Sequence, residues 1–356
     1  MKTFTKLLAL SLLTICAPLV QAQDIHFSQF YSAPVLLNPA MTGNIAEHFR
    51  ANVTYRNQWA SIPAPYSTVA ASVEASLLGC QLGMDHLGVG LALYNDRAGD
   101  GILNDVTVMG SVAYHKGLNQ DRSMVLSLGG QIAYTQKSID FTKLYFESQI
   151  NSGFTIDQAL PNLEPIYNNS FNYIDFRAGG LFTASVNEDI NFYVGGGYFH
   201  LSKPEETFLV EELQTTADKL LDPRLVFHGG GSFFLTEQFS LSPSLLFMSQ
   251  TGARDFVFGT AFGYHFDQGG NNRRYKRKNI QDGSAIYLGA WYRWEDAIVA
   301  TLGVDYKKFK FGFSYDINVS GLRTASLGQG ALELTLSYSG LLNECKRRTP
   351  TYCPRF

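Results

Sequence analysis

The stretch Lys308-Phe309-Lys310-Phe311-Gly312-Phe313-Ser314-Tyr315-Asp316-Ile317 decides the fold. Phe309, Phe311, Phe313, Tyr315 and Ile317 fall on one side of a pleat, with Lys308, Lys310, Gly312, Ser314 and Asp316 on the other. After a polar loop with Gly321, Gly328 and Gly330, the pattern repeats: Leu332, Leu334, Leu336 and Tyr338 alternate with Ala331, Glu333, Thr335 and Ser337. One face is greasy and aromatic, and the other carries small residues and charges. Barrel strands that face lipid outside and a polar lumen inside have this pattern. The chain is therefore expected to be all-β, a transmembrane antiparallel β-barrel.

The same period of two recurs at 47–58, 66–77, 84–96, 103–115 and 122–135, then at 171–184, 190–200, 224–235, 239–249 and 253–266. Segments 284–293, 297–306, 309–317 and 331–340 complete a series of about fourteen strands, an even number of the kind single-chain bacterial barrels use. An even count places both barrel ends in the periplasm. Connections at 78–83, 116–121, 185–189 and 236–238 are then short and periplasmic, while 136–170 and 201–223 are long and outward. One periplasmic connection, 267–283, is long and basic, with Arg273, Arg274, Lys276, Arg277 and Lys278. It reads either as a solvated loop or as a docking patch for an acidic periplasmic partner or anionic headgroups.

Lys2 and Lys6 precede an apolar run, and Val20-Gln21-Ala22 makes a small-residue cleavage site, so residues 1–22 read as a signal peptide. Ile15 before Cys16 is too large for a lipoprotein box. Beyond the leader no apolar run approaches the roughly 18 to 20 residues of a spanning helix. Hydrophobic residues make up 45% of the chain and aromatics 13%, with 33 glycines, as expected of lipid-facing strands. Losing Lys2 and Lys6 takes the 28 basic residues to 26 against 31 acidic ones, a charge of −5 that gives no reason to invoke nucleic acid. Cys80, Cys345 and Cys353 remain after cleavage, enough for one disulfide and one free thiol in an oxidising compartment.

No nucleophile, base and orienting group stand at compatible positions, so no catalytic residues, cofactor or metal ligands are assigned. His228 beside Gly229-Gly230-Gly231-Ser232 is the nearest approach to a site, and strand glycines more often permit close packing. Asn95, Asp96 and Asp100 depart from calcium-loop spacing and suit a polar turn. Lumen-facing Asp175, Arg177, Asp305 and Glu333 suit a polar interior, and Arg56 is placed to bind a carboxylate across it.

Residues 23–46 are odd for a barrel. They are rich in aromatics, break strict alternation and carry turn signals at Asn38-Pro39 and Thr42-Gly43-Asn44. So apolar a segment is expected inside the lumen, under its mouth or beneath a partner. The stretch Asp24-Ile25-His26-Phe27-Ser28-Gln29-Phe30-Tyr31 continuing to Asn38-Pro39-Ala40-Met41-Thr42-Gly43, together with Tyr55-Arg56-Asn57-Gln58-Trp59 and the ending Cys353-Pro354-Arg355-Phe356, resembles the PorP/SprF family of Bacteroidetes outer-membrane proteins. The likeness runs the length of the mature chain. It implies an outer-membrane accessory barrel of the type IX secretion system that helps export or anchor proteins with C-terminal sorting domains, gliding adhesins included in some members. The implied partners are periplasmic secretion components, those secreted proteins and outer-membrane lipid.

The expected organisation is a signal peptide at 1–22, a periplasmic or lumenal segment at 23–46, a barrel at 47–340 and a periplasmic tail at 341–356. The N-terminal segment, the basic loop and the tail are expected on one side, where a secretion machine would be met. Asp24, His26, Phe27, Phe30, Tyr31, Arg56 and Trp59, with the five basic loop residues, are the expected partner contacts. Lumen packing is the competing expectation for the segment's rings, and a membrane-interface girdle for Trp59. A passive diffusion porin is the alternative function.

Overall fold

The computed structural model describes residues 24–340, except 63–64, 80, 83–84, 100–102, 152–154, 158–159, 162, 164–167, 209–219 and 267–283. The basic loop with Arg273, Arg274, Lys276, Arg277 and Lys278, the tail and all four cysteines lie outside these residues.

Fourteen antiparallel strands close into one barrel, each paired with its neighbours in sequence and the first with the last. The strands are β1 Phe49–Gln58, β2 Tyr66–Leu77, β3 His86–Ala98, β4 Leu103–Gly117, β5 Met124–Ile139, β6 Ser170–Ser185 and β7 Ile190–Phe199. They continue as β8 Arg224–Phe234, β9 Phe239–Gln250, β10 Ala253–His265, β11 Ala285–Arg293, β12 Ala297–Tyr306, β13 Phe309–Asn318 and β14 Gln329–Gly340. The expected ends agree to within a few residues. The largest extension is in β5, where Gln136, Lys137 and Ser138 pair with the first residues of β6 and Ile139 with Leu103 of β4. Pairing continues there because polar side chains do not end a ladder whose partner strand is present.

Closure satisfies every sheet edge, which a membrane demands of any backbone crossing it with strands. In β13 the aromatics Phe309, Phe311 and Phe313 stay exposed while Ser314, Asp316 and Asn318 are buried inward. Rings collect at both rims. Phe256, Phe258, Tyr292 and Trp294 form a chain at the long-loop end, and Phe49, Phe309 and Tyr338 another at the opposite end. Paired aromatic girdles of this kind mark the two interfaces of a membrane. No helix among the described residues is long and apolar enough to cross a membrane.

The register of β13 on β14 shifts once, between Tyr315 and Ile317, leaving Gly330 and Ala331 both opposite Asp316. The extra residue is on β14, and beside it Asp316, inward by the same alternation as Ser314 and Asn318, enters the lumen where a group of charges gathers. The interior is filled by residues 24–45, which form turns of helix at Phe30–Ser32, Pro34–Leu37 and Pro39–Met41 and join no sheet.

Candidate functional site

The N-terminal segment touches the wall around its full circumference, from Arg56 on β1 through Gly180 on β6 and His228 on β8 to Glu333 on β14. A segment in contact with opposite sides of a closed ring lies inside it. Phe30, Tyr31, Leu37, Ala40 and Met41 pack with Leu181, Tyr193, Val257, Trp291 and Val299 of the wall. Phe27, Ala33 and Val35 pack instead with Ala70, Ala92, Tyr94, Met109 and Ala133. The Tyr31 ring stands 5.4 Å from that of Trp291, whose indole N–H donates to Ser244 Oγ at 3.0 Å. Burying rings this large contributes about 1.5 to 3 kcal/mol each, which explains why so greasy a segment seeks the interior.

Close approach is built into the wall. A Cβ on Gly88 would lie 1.9 Å from Thr42 O, and one on Gly129 would lie 2.4 Å from the Pro39 carbonyl. Only glycine lets the segment's backbone run this near the strands.

Polar contacts fix the segment at three levels. At the first, the Ser28 hydroxyl donates to Asp316 (Oδ2 at 2.7 Å) and accepts from Arg56 Nη1 at 2.7 Å and Arg293 Nη2 at 2.8 Å. Glu333 accepts the Ser28 and Gln29 amides, one on each oxygen, both at 2.9 Å. Arg56 also reaches Asp316 at 3.2 Å and Glu333 at 3.3 Å, so two buried cations and one buried anion meet on the Ser28 hydroxyl while a second buried anion takes the neighbouring amides. At the second level, Asn38 Nδ2 lies 3.0 Å from Gly180 O and 2.9 Å from His228 Nε2, while its Oδ1 accepts the Ala40 amide. At the third, Glu74 accepts the Gly43 amide at 2.7 Å and pairs with Arg50, and His115 Nε2 donates to Thr42 O at 2.8 Å.

Asp24, near the segment's start, is held separately. Asp24 Oδ2 lies 2.7 Å from His200 Nε2 and 3.3 Å from Arg224 Nη1. His200 Nδ1 is 3.0 Å from Asp175 Oδ2, an ion-pair distance without hydrogen-bond alignment, and Asp175 binds Arg177. Burial alone would raise the Asp24 pKa, but Arg224 and His200 outweigh it and hold the carboxyl well below the usual range. Burial likewise opposes the charged imidazole of His200, and Asp24 and Asp175 overcome it, raising its pKa. The Asp24 contribution is therefore present above the ordinary carboxylate pKa of about 3.9 and lost as pH falls through the depressed value. The His200 contribution is present below about 6.5 and lost as pH rises through the raised value. Protection of the amides of residues 24–27, taken relative to the intrinsic exchange rate at each pH, should be greatest between those limits and fall on the alkaline side, and His200→Gln should remove this alkaline limb. An alkaline limb that survives His200→Gln would disprove the assignment.

Asp24, Phe27, Phe30, Tyr31 and Arg56 thus come together in the lumen, with His26 half-buried beside them. Burial, then Arg293, Arg56 and Arg224, push the His26 pKa well down and keep it neutral. Trp59 stands apart at the rim, in the left-handed region at φ 58° and edge-on to Tyr66 at 5.5 Å. The rings follow the lumen-packing expectation, and one placement differs from expectation. The rings of Phe27, Phe30 and Tyr31 are 3–7% exposed and offer a partner no surface while the segment is seated. Asp24 and Ser28 do not lie at the barrel end where β1 begins, the end expected to face the periplasm. They meet His200, Arg224, Arg293 and Asp316, at the strand ends that carry the long loops, because the chain climbs the lumen before β1 starts at the other end. Ser28, Asn38, Thr42, Arg293, Asp316, His200 and Arg224 were not singled out in sequence. Arg224, Arg293 and Asp316 carried the signal of a charge within a strand, whereas His200 stands just past a strand end and the segment's Ser28, Asn38 and Thr42 showed at most as turn residues.

Fold and interior together define an outer-membrane β-barrel whose lumen is occupied by its own N-terminal segment. The model of the type IX secretion system membrane protein PorP/SprF matches residues 19–338, and the chain belongs to that family. No curated protein matches it in sequence. Among solved structures it is similar to the toluene transporter TbuX of Ralstonia pickettii, at 11% identity over 88% of this chain and 94% of that one, with a TM-score of 0.48. It is also similar to the toluene transporter TodX of Pseudomonas putida, at 8% identity over 89% and 94%, with a TM-score of 0.49. The KdgM porin gives 11% identity over 81% of this chain and 98% of that one, with a TM-score of 0.34. None is close enough to carry over a substrate or a mechanism.

Proposed function

We propose that the chain is a non-enzymatic accessory barrel of the type IX secretion system, assisting secretion or surface anchoring of proteins with C-terminal sorting domains, gliding adhesins among them. Family membership supports the system. The observation that carries the accessory role over passive diffusion is the occupied lumen, with wall contacts from Arg56 round to Glu333. A diffusion porin needs a water-filled path, and the segment takes up that space with packed rings and charge-assisted hydrogen bonds. On this reading the basic cluster Arg273, Arg274, Lys276, Arg277 and Lys278 serves periplasmic secretion components, and the barrel exterior serves outer-membrane lipid.

The test is to purify the tagged barrel from its native outer membrane in mild detergent and identify what accompanies it. Recovery of periplasmic secretion components or of a secreted protein with a sorting domain is expected, with recovery reduced by charge reversal of the five basic residues. A barrel that purifies alone and conducts steadily in a planar bilayer would transfer the assignment to the porin.

A further inference from the structure

The wall recognises the segment's main chain as closely as its side chains. Glu333 takes two consecutive amides, of Ser28 and Gln29, at 2.9 Å each. Gln131 Nε2 donates to Val35 O at 3.2 Å, His115 Nε2 to Thr42 O at 2.8 Å, and Glu74 accepts the Gly43 amide at 2.7 Å. Between these backbone contacts the wall reads side chains. Asp316, Arg56 and Arg293 converge on the Ser28 hydroxyl, Asn38 fits between Gly180 O and His228, and Thr42 Oγ1 meets Ser111 Oγ at 2.5 Å. Main-chain hydrogen bonds supplying affinity, with pockets for particular side chains supplying selectivity, are the means by which proteins bind peptides.

None of these contacts depends on the covalent link to β1. Residues 24–45 contribute no strand to the sheet, and the first ladder-like bond of the barrel comes only at His48, whose amide donates to Gly340 O at 3.0 Å. Ala46, Glu47 and His48 form a half-exposed connection between the buried segment and the wall.

We infer that the lumen is a peptide-recognition site, occupied in cis by residues 24–45, and that it accepts in trans a free peptide presenting the same Ser-Gln, Asn-Pro and Thr-Gly elements at the same spacing. The covalent tether sets a high local concentration and thereby keeps the site filled. The site stands on the geometry alone and holds whether or not the barrel serves secretion.

A specific protease site placed between Ala46 and Glu47 of the full-length protein allows the segment to be cut after the barrel has folded, with intactness read from heat-modifiable electrophoretic mobility. A fluorescently labelled synthetic peptide of residues 24–46 is then added in detergent and followed by anisotropy. Saturable exchange is expected, blocked by the unlabelled peptide. Peptides carrying Ser28→Ala or Asn38→Leu should compete at least about tenfold more weakly, since each loses hydrogen bonds to charged or buried groups. These substitutions leave the wall untouched, so misfolding cannot imitate the result. Failure of the cut segment to exchange against a large excess, or equal competition by a scrambled peptide, would overturn the inference.

Discussion

Alanine at Gly88 and Gly129 together should unseat the N-terminal segment and convert a closed barrel into a conducting one. The added methyl at Gly88 would sit 1.9 Å from Thr42 O and 2.6 Å from Thr42 C; that at Gly129 would sit 2.4 Å from both Pro39 C and O. All four are backbone atoms, so no flexible side-chain end can swing aside. Overpacking costs typically about 1 to 3 kcal/mol per site, and both penalties fall on one short run between Asn38 and Gly43. The strands themselves are not strained by alanine, whose Cβ points into the lumen, so the barrel should still assemble. Planar-bilayer recordings should show a stable open level in the double variant where the parent shows little conductance. Gly110→Ala is the matched control, because its Cβ meets only the Ile132 and Leu91 side chains at 3.9 Å. A closed double variant with native mobility would mean that the segment yields without leaving.

Much of the barrel was legible in the sequence because membrane strands repeat one physical rule. Lipid demands an apolar side chain at every second residue, and β13 shows the rule intact from Phe309 to Phe313. The occupied lumen was legible only as an anomaly. Phe27, Phe30 and Tyr31 required cover, and alternation cannot say whether a wall or a partner provides it. The direction in which the segment climbs was hidden altogether, since it depends on which end of the ring Asp24 and Ser28 reach. That is fixed by tertiary pairs such as Asp24 with His200 and Ser28 with Asp316, separated by 176 and 288 residues. Arg56, Glu333 and Asp316 are each legible as polar-face charges, but their convergence on Ser28 depends on where the segment is seated, which no period-two pattern marks.

Removing Arg56 should be the most destabilising single change in the wall. Its guanidinium is 2% exposed and touches Asp316 at 3.2 Å, Glu333 at 3.3 Å and the Ser28 hydroxyl at 2.7 Å. Arg56→Met keeps much of the volume and removes the charge. Arg293 still faces Asp316 at 3.1 Å, so that carboxylate keeps a cation, whereas Glu333 is left with the Ser28 and Gln29 amides alone. Stranding one member of a buried pair costs about 3 to 5 kcal/mol, and urea unfolding in micelles should show a loss of that size. Two comparisons separate this cause from general fragility. Lys143→Met breaks a pair with Asp140 in which both side chains are about half exposed (55% and 43%), and should leave the unfolding midpoint unchanged within error. Arg56→Met combined with Glu333→Gln removes both members, so it should recover part of the loss, because the uncompensated charge is gone while the amide can still accept from the segment. If the double variant is as unstable as the sum of the two single variants, the charges act independently and the cluster around Ser28 is not the clamp that its geometry describes.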